Sequence, residues 1–437
     1  MKRFFAISLL LFACSGQKPR TDPVATFPLP VAKTSQAAVA EPAGALDLPT
    51  ALALTLQHHP QLQGADDLER LRTARRQAAR VSPNPAVELT AEDFLGSGPF
   101  RGIGGSQWTL TVSQVLELGG KSRARVLLAE SESAMDAVQF QLTRLSVLSA
   151  VTLDFARLVY LQERQAILAG QLENAAGLER AIAARIEGGK DSLVQLKQYQ
   201  IQLSLLRFDL EDLERQKQAA RVQIASHWGS FSPRFSLAVG RFSTPDQLLA
   251  TDELKARLRR HPEVLLRQAQ IAQLRAQRAF EGRLAVPDIE LSVGVRMVAE
   301  DRNAAMVGGI SLPLPVWDRR REARDLLDAR LRTVERDLAA QVFLLEQQLA
   351  GKLAEFGRRR AELMMLEKTV LPEIEANIAL FQEGFTLGRF TLLEMLDSQK
   401  ALFELRERIL ATRLQLQTTV LELEFLTGLR LDTRGEP

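Results

Sequence analysis

Cysteine is nearly absent from this 437-residue chain, with Cys14 the only one, and there are just four histidines. A disulfide framework is therefore excluded, and a cysteine-based or histidine-rich metal cluster has too few ligands to draw on. Neither sign of charge dominates. Fifty-six basic against fifty-three acidic side chains leave a formal net charge of +3, too close to balance for nucleic acid or an anionic surface to be the main partner. Beyond the N-terminus no run approaches ~18 consecutive apolar residues, so no transmembrane helix is expected there. A membrane role would have to use strands or a lipid. Catalytic signatures are missing too. No motif brings Ser, His and Asp together, and no glycine-rich loop is followed by Lys-Ser or Lys-Thr, so the reading is of a non-enzyme with no cofactor. What remains is 46% hydrophobic and 25% charged, a composition for a folded protein with more than one core.

The N-terminus reads as an address. Met1-Lys2-Arg3 is basic, and Phe4 to Ala13 is an apolar run of signal-peptide length, too short to remain as a membrane span. Leu11-Phe12-Ala13-Cys14 resembles a bacterial lipobox, in which the cysteine receives lipid before cleavage on its N-terminal side. Residues 1–13 are thus expected to be removed and Cys14 to be lipidated. Ser15 follows in place of the Asp that resembles an inner-membrane retention signal, which directs the expected lipoprotein to the outer membrane. Residues 14–45, rich in Pro, Ala and Thr, read as a lipidated tether.

One half of the remaining chain repeats the other. Ala51-Leu52-Ala53-Leu54-Thr55-Leu56-Gln57-His58-His59-Pro60 aligns with Glu253-Leu254-Lys255-Ala256-Arg257-Leu258-Arg259-Arg260-His261-Pro262, and Pro85-Ala86-Val87-Glu88-Leu89 with Pro287-Asp288-Ile289-Glu290-Leu291. Gly189-Lys190-Asp191-Ser192-Leu193 corresponds to Gly388-Arg389-Phe390-Thr391-Leu392. Each copy reads as helix, strand, strand, long helix, turn, helix. The boundaries are 46–229 for the first repeat, 230–246 for a link, 247–429 for the second repeat and 430–437 for a tail.

From Lys121 to Glu187 helix-favouring residues run with only Gly170 and Gly177 interrupting, a single helix of roughly 100 Å at 1.5 Å per residue. Such a helix needs neighbours along its length. Leu196, Tyr199, Leu203, Leu206, Leu210 and Leu213 step by three and four, as do Leu402, Leu405, Ile409, Thr412, Leu416, Thr419, Leu423 and Leu426; this is the spacing of coiled-coil seams. Two antiparallel hairpins are expected, turning at Gly188-Gly189 and Leu387-Gly388.

Around 106–116 and 288–298 the pattern alternates instead. Trp108, Leu110 and Val112 interleave with Gln107, Thr109, Thr111 and Ser113, and Ile289, Leu291, Val293 and Val295 with Glu290, Ser292, Gly294 and Arg296. Ten-residue strands with one apolar and one polar face match a transmembrane β-barrel, and equally a soluble sheet over a core. Four strands cannot close a barrel, and open edges are not tolerated in hydrocarbon, so a membrane reading requires several chains in one sheet.

Taken together, His59-Pro60 and His261-Pro262, Pro83-Asn84-Pro85, Pro287, Ser113-Gln114-Val115-Leu116-Glu117-Leu118-Gly119-Gly120-Lys121 and Gly388-Arg389-Phe390-Thr391-Leu392-Leu393-Glu394-Met395-Leu396-Asp397 resemble the TolC family of outer membrane efflux proteins over about residues 46–429. The resemblance implies a mainly α fold with a β-barrel part. Long antiparallel helices would form an α-helical coiled-coil barrel, and four transmembrane strands per protomer a twelve-stranded barrel in a homotrimer. It also implies an outer membrane channel docked to a periplasmic adaptor (membrane fusion protein) and an inner-membrane RND pump, with outer membrane lipid around it and no nucleic acid. The segment 390–397 is similar to the heavy-metal subgroup typified by CzcC and CusC, which implies metal cations as cargo.

On that resemblance Glu394 and Asp397 lie just inside the periplasmic entrance, where three copies would form acidic rings able to select and gate cations; as simple solvated acids they would share a helix face all the same. Gly188, Gly189, Gly384, Leu387, Gly388 and Arg389 are the expected adaptor-docking tips, although turn chemistry alone also explains the glycines. His58-His59 does not suit a metal, because neighbouring helix residues do not face one another. Drug efflux, type I polypeptide secretion and a non-channel periplasmic coiled-coil lipoprotein stand as alternatives. Replacing Cys14 with serine is expected to abolish incorporation of a labelled fatty acid in growing cells; label retained in the variant would leave an ordinary signal peptide.

Overall fold

The structure, a computed structural model, describes residues 41–187, 193–240, 250–386, 389–390 and 392–428. Cys14, Gly188, Gly189, Leu387 and Gly388 lie outside the described residues. The elements run β1 (Ala45–Asp47), α1 (Leu48–His58), α2 (Ala65–Arg80), β2 (Ala86–Glu92), β3 (Gln107–Leu116), α3 (Lys121–Glu187), α4 (Leu193–Ser226) and β4 (Leu237–Val239). A second pass gives α5 (Thr251–Leu258), α6 (Pro262–Leu284), β5 (Ile289–Val298), β6 (Asn303–Ser311), α7 (Arg321–Met365), a π-turn at Leu366–Val370, α8 (Leu371–Thr386) and α9 (Leu392–Thr427).

Side-by-side order is kept along the whole wall. The antiparallel sheet runs β2-β3-β5-β6. Next to it the helices that continue those strands pack in the same sequence, α2 on α3, α3 on α6 and α6 on α7. Further along, α4 packs on α3, α3 on α9, and α9 on α7 and α8. Among the described residues the wall is four helices wide beside the sheet, α2, α3, α6 and α7.

Both expected seams are packed. Tyr199, Leu203 and Leu213 of α4 are buried against α3, with Leu196, Leu206 and Leu210 partly buried beside them. Leu405, Ile409, Thr412, Leu416, Thr419, Leu423 and Leu426 of α9 are all buried. Most join one core with Leu254 and Leu258 of α5 and Leu345, Leu349, Phe356 and Leu363 of α7. One expectation is corrected: α3 does contain a stretch long and apolar enough to cross a bilayer, within Lys121–Gly177, with mean hydropathy 1.3. Serines and threonines break its apolar runs, which hides it from a count of consecutive residues. It packs instead between α2, α4, α6 and α9.

Where strand passes into helix, the chain turns through Gly119 and Gly120 at φ +70° and +73°. At Gly119 a Cβ would sit 2.8 Å from that of Val286, so glycine is required by both sterics and backbone. The turn is bolted to its neighbours on either side. Lys121 Nζ lies 2.7 Å from Asp288 Oδ2, whose other oxygen accepts from Leu118 N at 2.9 Å. Arg125 grips Glu117 through two nitrogens at 2.7 and 3.0 Å while donating to the carbonyls of Ala79 and Val81, a bidentate pair of the strong, orienting kind.

In the second repeat the long helix is not continuous. Leu371 N–H reaches Leu366 O, an i→i+5 bond. Pro372 follows at once, and its ring would strike the carbonyl four residues back in a regular α-helix. The wider turn gives that ring room. No proline occupies the equivalent stretch of α3, which runs without interruption from Lys121 to Glu187.

A belt midway along the wall was not legible in the sequence. β1 and β4 pair in parallel, Leu46 opposite Ala238, and the amide of Gln162 on α3 donates to Ala238 O and accepts from Ala238 N, both at 2.8 Å. Glu41 accepts from Trp228 Nε1 at 2.6 Å and Arg234 N at 2.7 Å. His59 Nδ1 accepts from Gln61 N and His261 Nδ1 from Glu263 N, the same short-range cap in each repeat. Burial pushes both imidazoles below the ordinary value, helped at His59 by neighbouring His227. A histidine held neutral in the fold and free to titrate when unfolded contributes its full share above about pH 6.5, and stability falls as pH drops below that. Thermal unfolding followed by circular dichroism is expected to show a lower Tm at pH 5.5 than at pH 7.5, with the difference reduced in His261→Gln.

Candidate functional site: the two-faced sheet and the helical tip

Register assigns each strand side chain to a face. Leu89, Leu110, Val295 and Met306 align across one row, and Val87, Val112, Val293 and Gly308 across the next. This face is apolar yet uncovered, with Met306 81% exposed. Every second residue points the other way and is polar or small, apart from Val115, Val298 and Val307. There Arg296 donates from Nε to Thr109 Oγ1 at 3.1 Å and lies 3.8 Å from Glu92, while Glu88 and Glu290 share that polar face. A sheet greasy on its exposed side and polar on the reverse has the inverse of a soluble sandwich, whose apolar faces pack together.

At the opposite end of the helices, packing fixes the start of α9. Met395 and Leu396 tuck against a cluster of Ile182, Tyr199 and Leu203, and Tyr199 donates to Ala175 O at 2.9 Å. Burial pushes the Tyr199 hydroxyl up to about 12, so it stays a donor at physiological pH. At 100° per residue, Glu394 and Asp397 fall on the side of α9 away from that packed pair, and both are exposed. Beside them, Arg389 N–H donates to Gly384 O at 2.8 Å. The Phe390 ring covers Gly384 closely and meets Phe381 at 4.6 Å between centroids. Of the six expected tip residues, then, the described ones are buried Gly384 and exposed Arg389.

The histidines are held locally. His59 stacks on His227 at 6.3 Å, His227 Nε2 lies 2.8 Å from Asp154 Oδ2, and the His261 ring stands edge-on to Phe425 at 5.6 Å. Among the described residues no three His, Cys, Asp or Glu side chains are grouped to hold a metal.

A sheet with its apolar face outward, set on helices of this length, has known counterparts. The sequence profile of outer membrane efflux proteins matches residues 51–230 and again 254–429. The chain belongs to that family. Among relatives, the cobalt-zinc-cadmium resistance protein CzcC of Cupriavidus metallidurans is 28% identical over 87% of this chain and 90% of its own length. The nickel and cobalt resistance protein CnrC of the same organism is 23% identical over 77% of each chain. The solved structure of CusC superposes with a TM-score of 0.73 at 14% identity, covering 87% of this chain and 91% of CusC.

As an outer membrane efflux protein, the chain is a duct with β-strands in the outer membrane and a helical tunnel on the periplasmic side. In a barrel of such strands the apolar face meets lipid and the polar face meets water, and here Arg296, Glu88 and Glu290 stand on the polar face. Alternation in the sequence already sets Glu290 and Arg296 on the polar face, and the β2 register adds Glu88 to it. Substituting Gly384 with valine in this efflux protein drives a branched side chain into the Phe390 ring and is expected to open the α8–α9 turn. Faster proteolysis at 384–390, with the circular dichroism signal retained, is the readout.

Proposed function

We propose that three copies of this chain close into a twelve-stranded barrel continuous with a helical tunnel, and that this duct exports heavy-metal cations handed over by a periplasmic adaptor and an inner-membrane pump. The observation that carries the assembly is the pair of uncompleted edges. Among the described residues β2 and β6 each have no strand on their outer side, and a strand edge cannot stand open in hydrocarbon. The helices repeat the requirement. Ile201, Leu205 and Phe208 are exposed on the side of α4 opposite its seam with α3, while Phe343, Met365 and Leu380 are exposed on α7 and α8 at the far edge. Joining one edge to the other in a neighbouring copy pairs the strands and covers both stripes.

Metal cargo is supported by CzcC and CnrC, whose names record resistance to divalent cations. Glu394 and Asp397, aligned on the exposed side of α9, would become rings of carboxylates at the tunnel entrance, favouring cations. Gly384 and Arg389, with Gly188, Gly189, Leu387 and Gly388, would form the tips that meet the adaptor.

Mass in detergent and conductance in planar bilayers, with Glu394→Gln and Asp397→Asn combined, test this reading. A trimer whose cation preference falls several-fold in the double variant is expected. Unchanged selectivity would remove the acidic entrance while keeping the duct, and a folded monomer without conductance would remove both.

A further inference from the structure

The near balance of charge over the whole chain conceals one local surplus. Each of the four helices that abut the sheet carries an exposed arginine in the turn nearest to it: Arg80 ends α2, Arg123 opens α3, Arg283 closes α6 and Arg321 opens α7. Among the described residues none of the four has an acidic partner. On α2 and α6 the arginines one or two turns further from the sheet are paired, Arg75 with Asp136, Arg76 with Glu130 at 3.3 Å, Arg278 with Asp328 at 2.5 Å and Arg275 with Glu335 at 3.0 Å, and at the junction itself Arg125 and Arg320 are paired with Glu117 and Glu281. The helix macrodipole accounts for Arg80 and Arg283 at helix C-termini but not for Arg123 and Arg321, which sit at helix N-termini, where a cation opposes it.

A ruler along the strands says what lies at that level. From Trp108 to Leu116, β3 advances roughly 27 Å, or about 20 Å along the membrane normal at a tilt of ~40°. That falls short of an apolar band of about 25 Å. On the helical side the deficit is met after β6, where Leu312, Leu314 and Val316 are exposed in turn and Trp317 follows at 92% exposure. Tryptophan is the residue of the membrane–water interface, and cationic side chains reach anionic headgroups just beyond it. Trp108 stands at the other end of the same band.

We propose that Arg80, Arg123, Arg283 and Arg321, bordered by Trp317, form a belt that binds the phosphates of phospholipids in the leaflet facing the helical tunnel. The apolar strand face sets the height of this belt, and the unpaired guanidiniums supply charge complementary to headgroup phosphate. It rests on the closed barrel proposed above, and the mass of each sample in detergent separates failure of that assembly from failure of the belt.

The test uses the full chain reconstituted in vesicles of phosphatidylethanolamine and phosphatidylglycerol. Native mass spectrometry counts the phosphatidylglycerol retained, and tryptophan fluorescence is recorded with brominated lipid. Changing all four arginines to glutamine is expected to weaken phosphatidylglycerol retention by roughly fivefold per arginine, and changing them to lysine to restore most of it. Brominated lipid is expected to quench fluorescence in the parent, with part of that quenching lost in Trp317→Phe. Retention unchanged in the glutamine variant, with ion selectivity altered, would mean that the arginines line the passage and would overturn the proposal. Should that variant fail to fold, quenching identical in the parent and Trp317→Phe would overturn it as well.

Discussion

Backbone groups that hydrocarbon cannot solvate are the constraint from which the rest of this structure follows. Four strands with an apolar exposed face belong in lipid, and lipid leaves the outer N–H and C=O groups of β2 and β6 no partner but another strand. A solution that joins strands edge to edge must also join whatever continues from them. Hence the helices that continue the strands, α2, α3, α6 and α7, stand in the same order as the strands. The bolts at the strand–helix junction, Lys121 to Asp288 and Arg125 to Glu117, hold the two kinds of secondary structure in one register.

Duplication supplies that order economically. Each copy contributes two strands, a long helix and a returning helix, and the copies lie side by side. They are not mechanically equal. α3 runs unbroken for 67 residues, while its counterpart is interrupted by the π-turn that Pro372 imposes. The capping histidines show the opposite tendency, since His59 and His261 keep the same hydrogen bond although their ring neighbours differ.

Much of the architecture was legible because long-range periodicity survives local noise. The span of α3, the α4 and α9 seams and the alternation in β3 and β5 follow from patterns over many residues. What escaped had short or distant signals. β1 and β4 are three residues each and pair across some 190 positions, a distance no local pattern encodes. Pro372 was visible but lay in a helix whose other residues favour continuity. At the candidate site, the three-residue spacing of Glu394 and Asp397 placed them on one face, yet only the packing of Met395 and Leu396 shows which side of α9 that is. The tip glycines illustrate the converse. Gly384 is required by the Phe390 ring above it, a tertiary reason that turn composition does not contain.

The adjacency of β3 and β5 carries a consequence for how the protein comes to exist. Gln107 pairs with Val298 and Leu116 with Ile289, so the central seam of the sheet joins residues made far apart in time. As the first repeat emerges, it can form its β2–β3 hairpin and coil α3 on α4, but one side of β3 and the α6 and α9 flanks of α3 have nothing to close on. Non-local pairing of this kind is slow, and an apolar strand with a bare edge is prone to join the wrong chain meanwhile. The architecture that makes a seamless wall in the finished molecule thus leaves a long interval in which the chain is vulnerable, and maturation depends on keeping that first half apart from its neighbours until the second arrives.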